Sequence, residues 1–393
     1  MRRLLMLPAV VAALAVAAPP AAPLALPEGL SVGVQDDRLP VADPAALDER
    51  VADIAATGVR VTRVDVLWNE VAPERPADAR DPADPAYRWE RYDRIVDGLA
   101  ARGVDVLLTV YRTPSWAVDP RYAPRDPPQP ERWAPAPDAL GDFAFALARR
   151  YDGTAHARVS AFEPWNEPNI PFFLRPQWLP YATAASGWRP GSPEIYSAML
   201  TAAYDGIRAA QPDATVAGVS GAPNGGGAPP TGPLGFGSVP NSLFMAELAR
   251  LQPPMDVASQ HLYPALGPQE STAFPSFRTL PRLLSELDAI RPGIPLWVTE
   301  FGYMTRPPAS RPTRPVVTEE QQAAYAEQAV AAMAAVPRVD LAVWFNLQDN
   351  AEWPGGLRRE DGSPKPVWDV FLRIPKLIPD PVPVPPSAPE PPA

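Results

Sequence analysis

Residues 92–110 read YDRIVDGLAARGVDVLLTV and place a helical pattern directly before a strand pattern. From Tyr92 to Arg102 the apolar side chains recur at helical spacing, which predicts a helix with one buried face. From Val104 to Val110 β-branched and apolar residues predominate, which predicts a buried strand. The same pair of patterns recurs along the chain and indicates a fold of alternating strands and helices.

Eight strands are predicted: Ser31–Val34, Val59–Val66, Val104–Val110, Val159–Phe162, Thr215–Val219, Asp256–Ser259, Leu296–Val298 and Leu341–Phe345. Helices are predicted between them: Pro44–Thr57, Tyr92–Arg102, Asp138–Tyr151, Pro193–Ala210, Ser242–Leu251, Phe277–Ile290 and Thr318–Val336, with Val367–Ile374 closing the set. Eight such units over about 350 residues have the size of a (β/α)8 barrel with enlarged loops.

An open, doubly wound α/β sheet is the alternative to a barrel. Such sheets normally carry a glycine-rich phosphate loop after the first strand. Here the corresponding residues, 34–37, read VQDD and contain no glycine. We therefore predict an α/β fold consisting of a single TIM barrel, with enlarged loops at its C-terminal face.

The composition excludes several classes of protein. The chain of 393 residues is 46% hydrophobic and contains 11 Trp, so it can bury a large core and is not a disordered chain. It has no Cys and only two His, which excludes disulfides and argues against a multi-histidine metal site. The net charge of −10 disfavours nucleic acid and anionic membranes as partners. We predict no metal and no cofactor, and a neutral partner such as a sugar.

The two ends have compositions of their own. Residues 1–25 resemble a secretory signal peptide, because Arg2 and Arg3 precede an apolar run too short to span a bilayer comfortably. An uncleaved membrane anchor is the alternative interpretation. Residues 379–393 alternate proline with small residues and predict an extended, unpacked tail. We expect a secreted or extracellular protein, either free or held at the cell surface, whose catalytic domain comprises residues 26–378.

Polar side chains follow several of the predicted strands. Glu167 follows the fourth strand, His261 the sixth and Glu300 the seventh, while Trp344 lies near the end of the eighth. In a TIM barrel the chemistry takes place at the carboxyl ends of the strands. Two Glu residues at these ends, with aromatic residues beside them, therefore predict a catalytic site.

Two motifs make the sequence similar to a known group of enzymes. The segments Glu163–Asn169 (EPWNEPN) and Trp297–Tyr303 (WVTEFGY) resemble the retaining glycoside hydrolases of clan A, which are barrels with catalytic Glu on strands four and seven. The first segment and the loop Thr113–Ala117 (TPSWA) look most like glycoside hydrolase family 39 and its bacterial exopolysaccharide-cleaving relatives. The resemblance extends over nearly the whole mature chain.

The resemblance implies a role for each residue of the pair. Glu167 would be the general acid and then the general base, and Glu300 the nucleophile. Asn166 would hydrogen-bond the 2-hydroxyl of the sugar. Retaining enzymes place the two carboxyl groups about 5 to 5.5 Å apart, so that one can protonate the leaving oxygen while the other attacks.

Further matches with the clan concern substrate-binding residues. Arg63 resembles the clan's Arg after the second strand, which holds the nucleophile ionised; a salt bridge with Asp65 inside the barrel is the alternative. His261 and Tyr263 match the His-x-Tyr of the sixth strand, where the Tyr reaches the nucleophile. Trp344 would form the floor of the sugar subsite, with core packing as the alternative.

Three details extend these assignments. The resemblance implies a cis peptide between Trp344 and Phe345. Trp116 and the other loop aromatics could line further subsites. A second Trp-Asn-Glu, at residues 68–70, follows the second strand, and this position rejects it as the catalytic motif. The third strand ends in Tyr111 and Arg112, where many clan members have His.

The sequence thus predicts a secreted retaining glycoside hydrolase that cleaves β-linked polysaccharide. Endo action is favoured because the loops after strands three, four and five are large and rich in Pro and Trp. Two alternatives stay open: an exo-acting, β-xylosidase-like enzyme of the same clan, and a non-catalytic carbohydrate-binding barrel. A lectin needs aromatic stacking but no paired acid and nucleophile, which argues against the second.

Overall fold

A computed structural model describes residues 29–223 and 237–374. Its strands are β1 (Ser31–Gln35), β2 (Val61–Leu67), β3 (Asp105–Tyr111), β4 (Ala161–Pro164), β5 (Trp178–Pro180), β6 (Trp188–Pro190), β7 (Thr215–Gly221), β8 (Val257–Leu262), β9 (Leu296–Phe301) and β10 (Val339–Phe345). Its helices are α1 (Leu47–Ala56), α2 (Trp68–Val71), α3 (Glu90–Ala100), α4 (Pro137–Arg150), α5 (Ser192–Ala210), α6 (Asn241–Leu251), α7 (Leu280–Ile290), α8 (Glu319–Ala334) and α9 (Pro366–Arg373).

Eight of these strands form a closed parallel barrel in the order β1-β2-β3-β4-β7-β8-β9-β10. The barrel closes between β1 and β10, where Ser31 pairs with Leu341 and Gln35 with Phe345. Helices connect successive strands, so the prediction of a single (β/α)8 barrel is confirmed. The predicted signal segment 1–25 and tail 379–393 lie outside the described residues.

The interior of the barrel has an apolar layer below a polar one. Leu107, Leu341 and Val343 come from strands on different sides of the barrel and pack together as a separate buried cluster. Further along β3, toward its carboxyl end, the buried Thr109 donates to Glu163 Oε2 at 2.8 Å, and Glu163 in turn accepts from Arg63, so that polar side chains of β2, β3 and β4 meet there. The apolar layer therefore closes the barrel below, and the polar layer faces the C-terminal loops.

The fourth strand is held in place by an unusually close pair of helices. A Cβ atom on Gly206 of α5 would lie only 2.2 Å from the carbonyl oxygen of Gly141 in α4. Only glycine permits this approach, because any side chain at that point would overlap the neighbouring backbone. The two helices precede and follow β4, and they thereby fix the strand that leads to the Glu167 motif.

Two short elements lie outside the predicted pattern. The loop after β4 contains a two-stranded hairpin, formed by β5 and β6. The other element is the single-turn helix α2, which begins at Trp68 directly after β2. Strands of three residues and a helix of four are too short to show a period in the sequence. Among the described residues, no helix is both long and apolar enough to cross a membrane.

Candidate active site

Arg63 is the centre of the polar layer. Its guanidinium is buried and donates to four acceptors: Glu163 Oε2 at 2.7 Å, Gln35 Oε1 at 2.8 Å, Glu300 Oε1 at 2.6 Å and Asn166 Oδ1 at 2.6 Å. Charge-assisted bonds of this kind are the strong ones, and the fork geometry of Arg suits several acceptors at once. One side chain of β2 thus connects β1, β9 and the β4 end.

An irregularity in β9 turns Glu300 into the barrel. On β10, Ala342 and Trp344 are two residues apart, but their partners on β9, Val298 and Phe301, are three apart. The extra residue is a β-bulge, and bulges re-aim side chains next to active sites. Because of it two adjacent residues face inward: Thr299 donates to Glu163 Oε1 at 2.9 Å, and Glu300 reaches Arg63.

Three side chains surround the Glu300 carboxylate. Arg63 binds one oxygen, while the Tyr263 hydroxyl donates to the other. His261 Nδ1 lies 3.3 Å from that second oxygen. This set of donors stabilises a negative charge on Glu300.

Glu167 lies on a strained turn after β4. Trp165 has a φ of 82° and Glu167 a φ of 42°, both in the left-handed region that L-residues seldom adopt. The Trp165 indole is buried and donates to Phe173 O at 3.1 Å, which anchors the turn. Glu167 Oε1 then lies 2.9 Å from His261 Nδ1.

Glu167 and Glu300 therefore face each other. One oxygen of each carboxylate lies within 4.8 Å of the other and of a His261 ring nitrogen. Inverting enzymes need a wider gap of about 6.5 to 9.5 Å between the carboxyl groups, to admit a water molecule. The observed closeness favours the retaining arrangement.

The buried charges shift one another's pKa values. Burial opposes a charged imidazole, but the carboxylates of Glu300 and Glu167 outweigh it and raise the pKa of His261. Burial raises the pKa of Glu300, although the positive charges of His261 and Arg63 oppose this rise. Burial would also raise the pKa of Glu163, but Arg63 prevails and the pKa lies below its ordinary value. The ionised form of Glu163 is thus favoured, and it binds Arg63.

The family model for cellulases, glycosyl hydrolase family 5, matches residues 39–349. The chain belongs to glycosyl hydrolase family 5. Because this family is part of clan A, the predicted clan A retaining glycoside hydrolase is confirmed. No curated protein matches the chain.

Solved structures of clan A enzymes resemble the barrel. A family 39 glycoside hydrolase from Bacteroides cellulosilyticus WH2 is 20% identical with a TM-score of 0.58, over 88% of this chain and 63% of that one. A family 39 β-xylosidase from Caulobacter crescentus is 18% identical with a TM-score of 0.56, over 90% and 72%. A family 5 enzyme from Streptomyces cattleya, solved with GlcNAc, is 17% identical with a TM-score of 0.58, over 88% and 79%. At these identities the likeness shows the fold alone.

A metal ion does not fit the residues of this family 5 site. Within the described parts of the chain, Glu167, His261 and Glu300 are the one group of acids and histidines close enough to share an ion. A metal-binding imidazole must be neutral, whereas the raised pKa of His261 favours its charged form. Glu300 is also already bound by Arg63 and Tyr263. The three side chains form a hydrogen-bonded acid pair with a histidine between them.

The role predicted for Trp344 is wrong. Its side chain is fully buried, packs against Phe301 and Phe371, and donates to Gly355 O at 3.2 Å. Residues alternate across the barrel wall, and Val343 faces inward, so Trp344 faces the helices. A sugar cannot reach it.

Phe345 takes the place that was predicted for Trp344. Its ring is partly exposed and packs between Tyr263 and Trp353, at centroid distances of 6.4 and 5.3 Å. The predicted cis peptide is likewise one residue further on, between Phe345 and Asn346. The candidate sugar-stacking surface is therefore Phe345 with Trp353.

A pair of substitutions tests this correction. Trp344→Phe should lower the free energy of unfolding by about 1 to 3 kcal/mol, because it leaves a cavity in the core. Phe345→Ala, which removes a partly exposed ring, should instead weaken substrate binding. Urea unfolding and the KM of each variant separate the two effects. A Trp344→Phe variant with parental stability but a raised KM would restore the original assignment.

Trp116 does not join the acid pair in the structure. Its indole donates to Ala72 O at 2.8 Å, packs on Trp68 at 5.7 Å and carries the Arg75 guanidinium 5.1 Å from its ring centre. These contacts anchor the loop after β3. Glu70 of the rejected Trp-Asn-Glu motif is exposed and lies 3.6 Å from Arg112.

Sequence reasoning missed part of the site. Gln35 and Thr299 bind Arg63 and Glu163, and neither was assigned a role. Glu163, the first residue of the EPWNEPN segment, binds Arg63. The expected alternative for Arg63 also holds in part, since Asp65 Oδ1 lies 3.4 Å from it. Alternation along β2 and β4 puts Arg63, Asp65 and Glu163 on the inner face, a signal present in the sequence.

Proposed function

We propose that the protein is a secreted enzyme that cleaves β-glycosidic bonds within polysaccharides, with retention of configuration. One observation carries the proposal. Arg63 and Tyr263 donate to Glu300 and favour its ionised form, while Glu167 faces it with a single hydrogen-bonding partner among the described residues, His261. Such an asymmetric pair can provide a nucleophile and a proton donor on opposite sides of one bond.

The first displacement breaks the glycosidic bond. Glu167 gives its proton to the glycosidic oxygen, and a Glu300 oxygen attacks the anomeric carbon from the opposite face. The C–O bond to the leaving sugar breaks as the ester bond to Glu300 forms. The Tyr263 hydroxyl donates to the other Glu300 oxygen and orients the carboxylate for attack.

The second displacement frees the enzyme. Glu167, now ionised, takes a proton from water, and the water oxygen attacks the anomeric carbon. The ester bond to Glu300 breaks and the carboxylate returns to Arg63. Two inversions restore the β-configuration in the released sugar.

Asn166 is oriented for the contact that the resemblance implies. Its Oδ1 accepts from Arg63 Nη2 at 2.6 Å, and because Arg can only donate, this contact fixes which way the amide points. The amide NH2 group is therefore left to donate to a substrate hydroxyl. A bond to the 2-hydroxyl would strengthen in the transition state.

The loop after β4 supports endo action. It carries two strongly exposed aromatic side chains, Phe172 and Tyr181, on the segment that directly follows Glu167. Exposed rings of this kind suit stacking on sugar units beyond the one that is cleaved. Secretion is supported by the signal-like composition of residues 1–25.

Product analysis tests the mode of action. On β-glucan, xylan, mannan and bacterial exopolysaccharides, we expect one class of polymer to yield oligosaccharides of several lengths from the first minutes. Mass spectrometry gives the lengths, and proton NMR should show the β-anomer first. Release of single sugars from the start would favour the exo-acting alternative, and an initial α-anomer would contradict retention.

A further inference from the structure

The loop that follows the nucleophile strand has a charge opposite to that of the protein. Residues 302–318 contain Arg306, Arg311 and Arg314 and no Asp, Glu or Lys, so the segment carries three positive charges. The whole chain has 45 acidic and 35 basic residues and a net charge of −10. A cationic loop in an acidic protein indicates a local requirement for positive charge.

The loop is held firmly. Thr305 N donates to Pro354 O at 2.9 Å and Ala309 N to Ala351 O at 3.0 Å, which bind it to the loop after β10. Four prolines, at positions 307, 308, 312 and 315, further restrict its backbone. Its arginines are therefore presented from a pre-organised segment, which lowers the entropic cost of binding a ligand.

Arg306 and Arg314 differ in their partners. Arg306 lies 2.8 Å from Glu360 on the surface. Arg314 is half-buried, and within residues 29–223 and 237–374 it has no carboxylate and no hydrogen-bond acceptor for its guanidinium. It lies 5.7 Å from the ring centre of Trp353, a cation–π arrangement. A half-buried guanidinium with five donors and no acceptor has its binding capacity free.

Arg314 also lines the cavity beside the catalytic pair. This cavity is a small one of about 20 Å³, open to solvent, and is bounded by Arg314, Tyr263 and Trp353 among others. Tyr263 donates to Glu300, and Trp353 packs on both Tyr263 and Phe345. A group that fills the cavity would therefore be attached to the reacting sugar or to its neighbour.

From this geometry we propose that Arg314 binds an anionic substituent of the substrate, a carboxylate or a sulfate on a sugar at the cleavage site. The inference rests on the proposed function and narrows it to acidic polysaccharides. Guanidinium binds both anions through two parallel hydrogen bonds, which gives orientation as well as affinity. The sugar ring would stack on Trp353 or Phe345 while its charged group reaches Arg314.

The charge of Arg314 persists at neutral pH. Burial, helped by the charge of Arg311, lowers the pKa of Arg314, and the charge of Glu167 opposes this shift. Arg is nevertheless protonated throughout the physiological range. An anionic group entering the cavity thus meets a fixed cation that has no ion-pair partner among the described residues.

Binding to an inactive enzyme tests the proposal without turnover. The full chain with Glu300→Gln is titrated, by calorimetry, with a β-linked oligosaccharide of alternating glucose and glucuronic acid. The same oligosaccharide with its carboxyl groups reduced to alcohols is the neutral ligand. A sulfated β-glucan oligosaccharide is the third ligand. The double variants with Arg314→Gln, Arg314→Lys and, as the matched control in the same loop, Arg306→Gln complete the set.

We expect one of the two anionic ligands to bind about tenfold to a hundredfold more tightly than the neutral one, as for hydrogen bonds between charged groups. Arg314→Gln should abolish this preference, Arg314→Lys should keep part of it, and Arg306→Gln should leave it unchanged. Which anionic arm is preferred identifies the substituent. Equal binding of all three ligands, or a preference that survives Arg314→Gln, would overturn the proposal.

The unmodified enzyme separates this inference from the proposed function. Hydrolysis of neutral β-glycans combined with no anion preference would overturn the role of Arg314 and leave the proposed function standing. Anion binding to the Glu300→Gln protein combined with no hydrolysis of any β-glycan would support the binding site and contradict the hydrolase. The two failures therefore give different results.

Discussion

Replacing Glu300 with alanine should lower turnover by about four to six orders of magnitude, as expected when a nucleophile is lost. Azide fits the space vacated by the carboxylate and should restore turnover of a substrate with a good leaving group. Because azide attacks from the face opposite that group, the product is an α-glycosyl azide. NMR of the isolated azide gives its configuration.

Glu167→Ala should produce the opposite azide. The nucleophile is intact, so an activated substrate that needs no acid still forms the covalent intermediate. Azide then displaces Glu300 and yields a β-glycosyl azide, with net retention. Exchanged configurations in the two variants would show that the roles of Glu167 and Glu300 are reversed.

Glu70→Ala is the matched control for both. This Glu ends the second Trp-Asn-Glu of the chain, but it is exposed and lies near Arg112. We expect parental activity and no azide product from it. Circular dichroism of all three variants must match the parent, and near-parental activity of a folded Glu300→Ala variant would refute the mechanism.

Arg63→Met should have the largest effect on stability. It leaves Glu163, Glu300 and Asp65 buried without their cation, and breaking a buried ion pair in this way costs about 3 to 5 kcal/mol. Arg80→Met removes an arginine from an exposed pair with Asp142, which should cost less than about 1 kcal/mol. Urea unfolding of the two variants gives the comparison.

The stability loss should depend on pH in a defined direction. The pKa of Glu163 is lower in the folded protein than in the unfolded chain. Its ionised form therefore contributes fully to the free energy of unfolding above the unfolded-state pKa, and this contribution is lost as the pH falls through the folded-state pKa. In Arg63→Met the largest opposing charge is lost, so burial outweighs the remaining effects of His261 and Ser259 and raises that pKa. The difference in free energy of unfolding between parent and variant should therefore be largest near neutral pH and shrink in acid.

The same substitution should change the pH profile of activity. Glu300 must be ionised to attack, and its pKa is already raised by burial. Without Arg63 it rises further, so the acid limb of kcat/KM should move to higher pH. Arg63→Lys, which keeps one charge, should move it less, and an unchanged limb in a folded Arg63→Met variant would argue against contact between Arg63 and the nucleophile.

The barrel could be predicted because its strands are mostly apolar or β-branched. Parallel strands are covered on both faces, so they appear as short, predominantly apolar runs between helical patterns. The predicted ends of the strands were less accurate, because the hydrogen bonding of the sheet continues into polar residues. The strand β8 includes Gln260 and His261, and β9 includes Glu300, although the apolar runs end before these positions.

The candidate site was predictable where motifs carry it and not where geometry decides. The WNEP and TEFG segments indicated Glu167 and Glu300, but resemblance assigned the stacking aromatic to Trp344 instead of Phe345. Alternation from Val343 would have indicated Phe345. Arg314 lies in no motif, and only a count of charges in residues 302–318 could have drawn attention to it.

The bulge in β9 makes the length of that strand part of the catalytic apparatus. Deleting Thr299 would restore regular alternation between Val298 and Phe301, and a single inward position would then have to replace the two that now reach Glu163 and Arg63. Evolution and laboratory recombination can therefore exchange residues along β9 more freely than they can insert or delete one. Chimaeras that take this strand from another barrel need the same residue count between Val298 and Phe301.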